Sequence, residues 1–113
     1  MKYTERRIGD VIILDLDGQL TIGKGDVVLR GAVLDLLDRG EKQIVLNLGR
    51  VSYMDSAGTG ELVASHTSAS NRGGTLVLLN LSSRLRDLLL FTQPISVFES
   101  YSDEDEAVAS FDA

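Results

Sequence analysis

The chain is 113 residues long, with 11 Lys and Arg against 17 Asp and Glu for a net charge of −6, one Pro, no Cys and no Trp. That length predicts one compact domain (residues 1–113) and excludes a two-lobed enzyme, while 43 % hydrophobic and 25 % charged residues exclude a disordered chain. The acidic excess argues against nucleic-acid binding, the lack of Cys excludes a disulfide framework and points to a reducing cytoplasm, and no apolar run approaches the ~20 residues of a membrane span.

The opening run Tyr3–Ile8 is short and charged and reads as an edge strand, followed by Gly9-Asp10, a pair suited to a tight hairpin turn. Val11–Asp17 is apolar on both faces at first and reads as a largely buried strand that Gly18 breaks. A loop through Gly23 and Gly25 leads to Asp26, a candidate N-cap for a helix to about Asp38, with Leu29, Val33, Leu36 and Leu37 at helical spacing and Gly40 as the stop. Gln43–Leu48 is a second buried-strand pattern, Val51–Asp55 a short loop, and Ser56 opens a weaker helical stretch to about Asn71 that Gly73-Gly74 ends. Thr75–Leu79 is the next strand, Ser82 or Ser83 caps a helix carrying Leu85, Leu88 and Leu89, and Pro94 terminates it. Val97–Glu99 reads as a short strand, and Ser102 caps a final helix with Ala107, Val108 and Phe111.

The predicted order is β-β-α-β-α-β-α-β-α. Strands alternate with helices after the hairpin, so the expected architecture is α/β, with a mixed, mostly parallel sheet and an antiparallel hairpin at its N-terminal edge. Residues 99–113 hold six acids (Glu99, Asp103, Glu104, Asp105, Glu106, Asp112) and no base, which leaves 11 acids to balance the 11 bases elsewhere. Four of the six follow Ser102, where acids complement the dipole of a helix start, so this segment reads as helix design more than as a docking tail.

Few residues point to catalysis. The strand ending Asp15-Leu16-Asp17-Gly18 looks like the nucleophile motif of haloacid-dehalogenase-type phosphatases, in which paired carboxylates hold Mg²⁺. Gln19 stands where that family has Thr, and its distant acid pair is missing. His66 has no companion at ligand spacing, and Gly18, Gly23 and Gly25 lack the spacing of a phosphate loop. Met54-Asp55-Ser56-Ala57-Gly58-Thr59-Gly60 differs: it follows a buried strand and opens a helix, where ligands and partners gather in open α/β sheets. Gly58 and Gly60 weaken that helix by up to ~1 kcal/mol each. Either Ser56 is a plain N-cap beside two loop glycines, or another surface must approach the backbone closely.

Ile44–Leu48 followed by Val51-Ser52-Tyr53-Met54-Asp55-Ser56-Ala57-Gly58-Thr59-Gly60 resembles the signature of bacterial anti-sigma factor antagonists, the STAS domains, and the similarity continues through Gly73–Leu78 and Ser82–Leu89. The resemblance implies a partner switch rather than an enzyme. The family's phosphoacceptor falls on Ser56, and Asp55, Ala57, Gly58, Thr59 and Gly60, with Gly18 and Thr21, fall on its partner-binding surface. Unmodified, such a protein binds an anti-sigma factor that is also a serine kinase and frees the sigma factor; phosphorylation switches it off, and a PP2C-type phosphatase reverses this. ATP belongs to the kinase, and no cofactor or metal is expected. Where the family commonly has Gly-Glu-Leu-Asp, this chain has Gly18-Gln19-Leu20-Thr21, so two interface charges are absent. Thr59 is either a second phosphoacceptor or an unmodified turn residue. Two other functions compete: a STAS scaffold subunit of a stress-signalling or lipid-transport complex, and a small Mg²⁺-dependent phosphatase using Asp15 and Asp17. Nothing in the sequence demands a dimer, so the free protein is expected to be a monomer in the cytoplasm.

Overall fold

The computed structural model describes residues 1–92 and 98–112. Strands β1 (Lys2–Ile8), β2 (Val11–Leu20), β3 (Gln43–Met54), β4 (Thr75–Leu79) and β5 (Ser100–Tyr101) form one sheet in the order β1-β2-β3-β4-β5. The β1–β2 pair is antiparallel and the others are parallel. Between them run α1 (Gly25–Asp38), α2 (Ser56–Asn71), α3 (Ser83–Thr92) and α4 (Glu104–Ala109), with a 3₁₀ turn at Ser110–Asp112. This is the expected order of elements and the expected mixed sheet.

Alternation along the strands sorts the side chains into two unequal cores. Ile12, Leu14 and Leu16 of β2 point with Ile44, Leu46, Leu76 and Leu78 toward α1, α2 and α3, which supply Leu29, Leu36, Leu62, Leu85 and Leu89. The opposite face holds Val11, Ile13, Val45, Val77 and Leu79, and among the described residues α4 and the 3₁₀ turn cover it through Ala107, Val108 and Phe111, with Tyr101 of β5 at its edge. Asp15 and Asp17 share this thinly covered face. A one-residue slip of β2 would turn them into the larger core and expose three apolar side chains worth about 2 kcal/mol each, which fixes the register.

Several local expectations are corrected. Gly18 does not break β2: it takes φ +127° and the strand runs on to Leu20. Val51–Met54 is not a loop. Asp15 and Asp17 pair with Asn47 and Arg50, and Gly18 and Gln19 with Val51 and Tyr53, so β3 inserts an extra residue in each interval and continues alongside Gly18–Leu20. The cap of α4 is Asp103, whose carboxylate accepts from Asp105 N at 2.8 Å, instead of Ser102. Asp26 lies inside the first turn of α1, its Oδ1 accepting from Val27 N at 2.7 Å, and Lys24 occupies the cap position without a side-chain bond. The last strand begins at Ser100, beyond the expected Phe98-Glu99; Val97 and the proposed stop at Pro94 lie outside the described residues. Ser82 is the cap of α3, its hydroxyl accepting from Leu85 N at 3.2 Å.

Candidate functional site

The two register shifts decide where the site forms. They carry β3 up to Met54, opposite Leu20, so the chain leaves the sheet at Asp55 beside the end of β2. Asp55 N donates to Leu20 O at 3.3 Å, and the helix then starts at once. Gly58 packs its backbone onto the same residue: a Cβ there would stand 2.0 Å from Leu20 O. Gly25 does likewise from α1, with a Cβ position 2.2 Å from Gln19 O. Two helices therefore press on the last two residues of β2, and each contact requires a glycine. The close approach inferred for Gly58 is an internal one. At Gly60 nothing lies within 4 Å of a Cβ, and the residue is exposed.

Asp55, not Ser56, is the N-cap of α2. Both residue types cap well, and the sequence alone does not choose between adjacent candidates. Here Asp55 has the extended backbone of a cap, with φ −104° and ψ −174°. Its Oδ1 accepts from Gly58 N at 2.9 Å and its Oδ2 from Ile22 N at 3.0 Å. Its carbonyl oxygen accepts from Thr59 N at 3.0 Å and from the Thr59 hydroxyl at 3.1 Å. The N–H of Ile22, then that of Gly58, hold the Asp55 carboxyl below the usual carboxylate range.

Ser56 is thereby freed from capping. It occupies the first position of α2, is exposed, and its hydroxyl has no hydrogen-bond partner among the described residues. Ala57 is half-buried beside it. Thr59 is 2 % exposed with its hydroxyl committed to Asp55, so it is a packed turn residue and no accessible acceptor. Thr21 closes the loop after β2, its carbonyl accepting from Lys24 N and Asp26 N, both at 3.2 Å. The structure thus gathers Thr21, Asp55, Ser56, Ala57, Gly58 and Thr59 around the start of α2. Gly18 is set apart, lower on β2, where a Cβ would lie 3.2 Å from the Cα of Met1.

One turn into α2, Glu61 is buried and bonds Arg30 Nε of α1 at 2.7 Å, tying the two helices together behind Ser56. The sequence reading missed this pair, and also Ile22, whose N–H completes the Asp55 bridge. The only local sign of the latter was Gly23 next to it, which has φ +74°.

Asp15 and Asp17 do not assemble as a metal pair. Asp15 Oδ2 receives Arg6 Nε at 2.5 Å, and its Oδ1 receives an Arg6 guanidinium nitrogen at 3.0 Å and Asn47 Nδ2 at 2.7 Å. The arginine, foremost, holds this carboxyl below the usual carboxylate range. Asp17 faces Arg50 at 3.9 Å instead, in an open cleft of about 450 Å³. Among the described residues no group of three or more His, Cys, Asp or Glu is placed to hold a metal. His66 packs edge-on to Phe98, with ring centroids 5.4 Å apart.

A sequence model of the STAS domain family matches residues 3–107. The chain belongs to the STAS domain family. Over 111 residues (98 % of this chain and 95 % of the relative), this STAS domain is 28 % identical to BtrV of Bordetella bronchiseptica, described as an anti-sigma factor antagonist. It is 25 % identical to a Thermotoga maritima protein, TM1081, also described as an anti-sigma factor antagonist, whose crystal structure superposes with a TM-score of 0.89 over 98 % of this chain and 95 % of that one. SpoIIAA of Bacillus, an anti-sigma factor antagonist solved in unphosphorylated and phosphorylated forms, shares the fold at 21 % identity. Its TM-score is 0.74 in both, covering 99 % and 97 % of this chain and 99 % of SpoIIAA each time. No helix among the described residues is long and apolar enough to cross a membrane.

Proposed function

We propose that this STAS domain, acting as one unit over residues 1–113, is an anti-sigma factor antagonist that works by partner switching. Unphosphorylated, it binds an anti-sigma factor serine kinase in the cytoplasm and releases the sigma factor; phosphorylation of Ser56 by the kinase, with ATP bound there, ends the association, and a PP2C-type phosphatase restores it. The free protein is a monomer and needs no cofactor of its own. The observation that carries the reading is the Ser56 hydroxyl, exposed and unbonded in the first turn of α2 on a frame that Asp55 fixes without it. The descriptions of BtrV and TM1081 support the same reading.

The chemistry follows from position. A phosphoryl group adds roughly −1.5 to −2 charges. The free N–H groups and dipole of a helix start favour it, while the ionised Asp55 next to it repels it, so the two effects offset and the fold survives modification. At a docked interface the balance changes, because a desolvated dianion against a fitted surface costs several kcal/mol. The kinase therefore dissociates from the product it makes. Incubation with a purified anti-sigma serine kinase and ATP, followed by mass spectrometry, tests the reading. One phosphate at Ser56 and loss of the complex are expected; an unmodified protein would favour the scaffold role.

A further inference from the structure

We infer that Ile22 is the apolar anchor by which the partner docks, and that Asp55 is the positioning residue that holds it ready. The inference deepens the partner-switch reading and rests on it. Ile22 is 73 % exposed and is the one large apolar side chain in a loop otherwise made of Thr, Gly and Lys. It sits second in a four-residue turn closed by Lys24 N donating to Thr21 O at 3.2 Å, with Gly23 third at φ +74°, the arrangement of a type II turn. The side chain at the second position of such a turn projects outward, and the backbone here is pinned twice more. Asp26 N also donates to Thr21 O, and Ile22 N donates to Asp55 Oδ2 at 3.0 Å.

That last bond joins the turn to Ser56. One carboxylate holds the loop with Oδ2 and caps α2 with Oδ1, so the apolar knob and the phosphoacceptor are fixed relative to each other by a single side chain. A residue already held in place loses little conformational freedom when it docks, which favours it as an anchor. Val27, at the start of α1, and Tyr53, two residues before Asp55, are exposed as well. Lys24 adds an exposed cation in the same turn. The surface fits a protein partner with an apolar pocket for Ile22 and an acidic group at the rim for Lys24. It also explains why one phosphate suffices to undock it: seating Ile22 brings Ser56 out of water, and a dianion there has to be desolvated with it.

The test uses the full chain and a purified anti-sigma serine kinase. Titration calorimetry should show Ile22→Ser binding about 10- to 100-fold more weakly, the effect of leaving one aliphatic side chain unburied, while Ile22→Val stays near wild type. Asp55→Asn separates the two functions of the carboxylate, since an amide has one acceptor oxygen: Asn caps as well as Asp, but its nitrogen then faces the Ile22 N–H. In that variant amide exchange at Ile22 should accelerate at least about tenfold with Gly58 still protected, and kinase binding should weaken. If wild type binds the kinase and is phosphorylated on Ser56 while Ile22→Ser binds equally well, the anchor is wrong and the partner-switch reading stands. If wild type neither binds nor is phosphorylated, that reading falls and the anchor falls with it. Unchanged exchange at Ile22 in Asp55→Asn overturns the positioning role.

Discussion

The carbonyl oxygen of Leu20 lies 2.0 Å from the point where a Cβ on Gly58 would stand. No rotamer relieves that overlap, because both atoms belong to backbone, and α2 would have to lift away from β2. Gly58→Ala should therefore destabilise the domain by roughly 2–3 kcal/mol, at the upper end of overpacking effects, lowering Tm by about 5–15 °C. Gly60→Ala, two residues along the same helix with open space around it, should raise stability by about 0.5–1 kcal/mol. Thermal denaturation followed by circular dichroism compares the two. Equal effects would contradict the contact.

Asp15 makes stability depend on acid. Its folded-state pKa is depressed, chiefly by Arg6 and also by Asn47. Its contribution is thus complete above the unfolded value near pH 4 and is lost as pH falls through the lower folded value. Asp15→Asn should cost about 1–2 kcal/mol at pH 7. The gap in Tm between wild type and variant should close progressively below about pH 4. A gap that stays constant from pH 7 to pH 2 would remove the ion pair as its cause.

The Arg30–Glu61 pair is asymmetric: the glutamate side chain is 4 % exposed and the arginine 58 %. Removing the cation alone leaves a carboxylate in the α1–α2 seam, so Arg30→Met should cost roughly 1–3 kcal/mol. Arg30→Met with Glu61→Gln should recover part of the loss. Urea denaturation of the wild type, the single variants Arg30→Met and Glu61→Gln, and the double variant gives the coupling energy, and additive effects would show that the pair contributes nothing.

Thr59 donates its hydroxyl to Asp55 O from a buried position. Thr59→Val should cost about 1 kcal/mol through that bond and leave the phosphate stoichiometry with the kinase unchanged, whereas Ser56→Ala should abolish it. Phosphate recovered on a Thr59 peptide would reverse the assignment. Ser56→Asp should weaken kinase binding with little change in Tm.

The order of elements was legible because buried strands and amphipathic helices leave periodic patterns. What misled was non-local. Gly18 and Val51–Met54 read as a break and a loop; they pair with each other across two bulges that only the assembled sheet reveals. The caps of α2 and α4 went to the serine next to the true aspartate, because the choice depends on which side chain the incoming chain turns toward the free N–H groups. The Asp55–Ile22 bridge and the Arg6–Asp15–Asn47 network cross between elements and leave no spacing to read. Ser56 is proposed through the resemblance of its motif, and the structure adds what the motif omits: the hydroxyl is not used in capping.

Arg6 bonds Glu104 at 2.6 and 3.2 Å as well as Asp15, joining residues 98 positions apart. On a ribosome adding about 5–20 residues per second, Glu104 is made roughly 5–20 s after Arg6. During that interval the hairpin of β1 and β2 can hold Arg6 through Asp15 alone, and the smaller core stands open until α4 arrives. The acidic helix is therefore a clasp fastened last. Part of its charge, which first appeared as an excess at one end of a balanced chain, fastens the sheet's second face through Glu104 and Arg6.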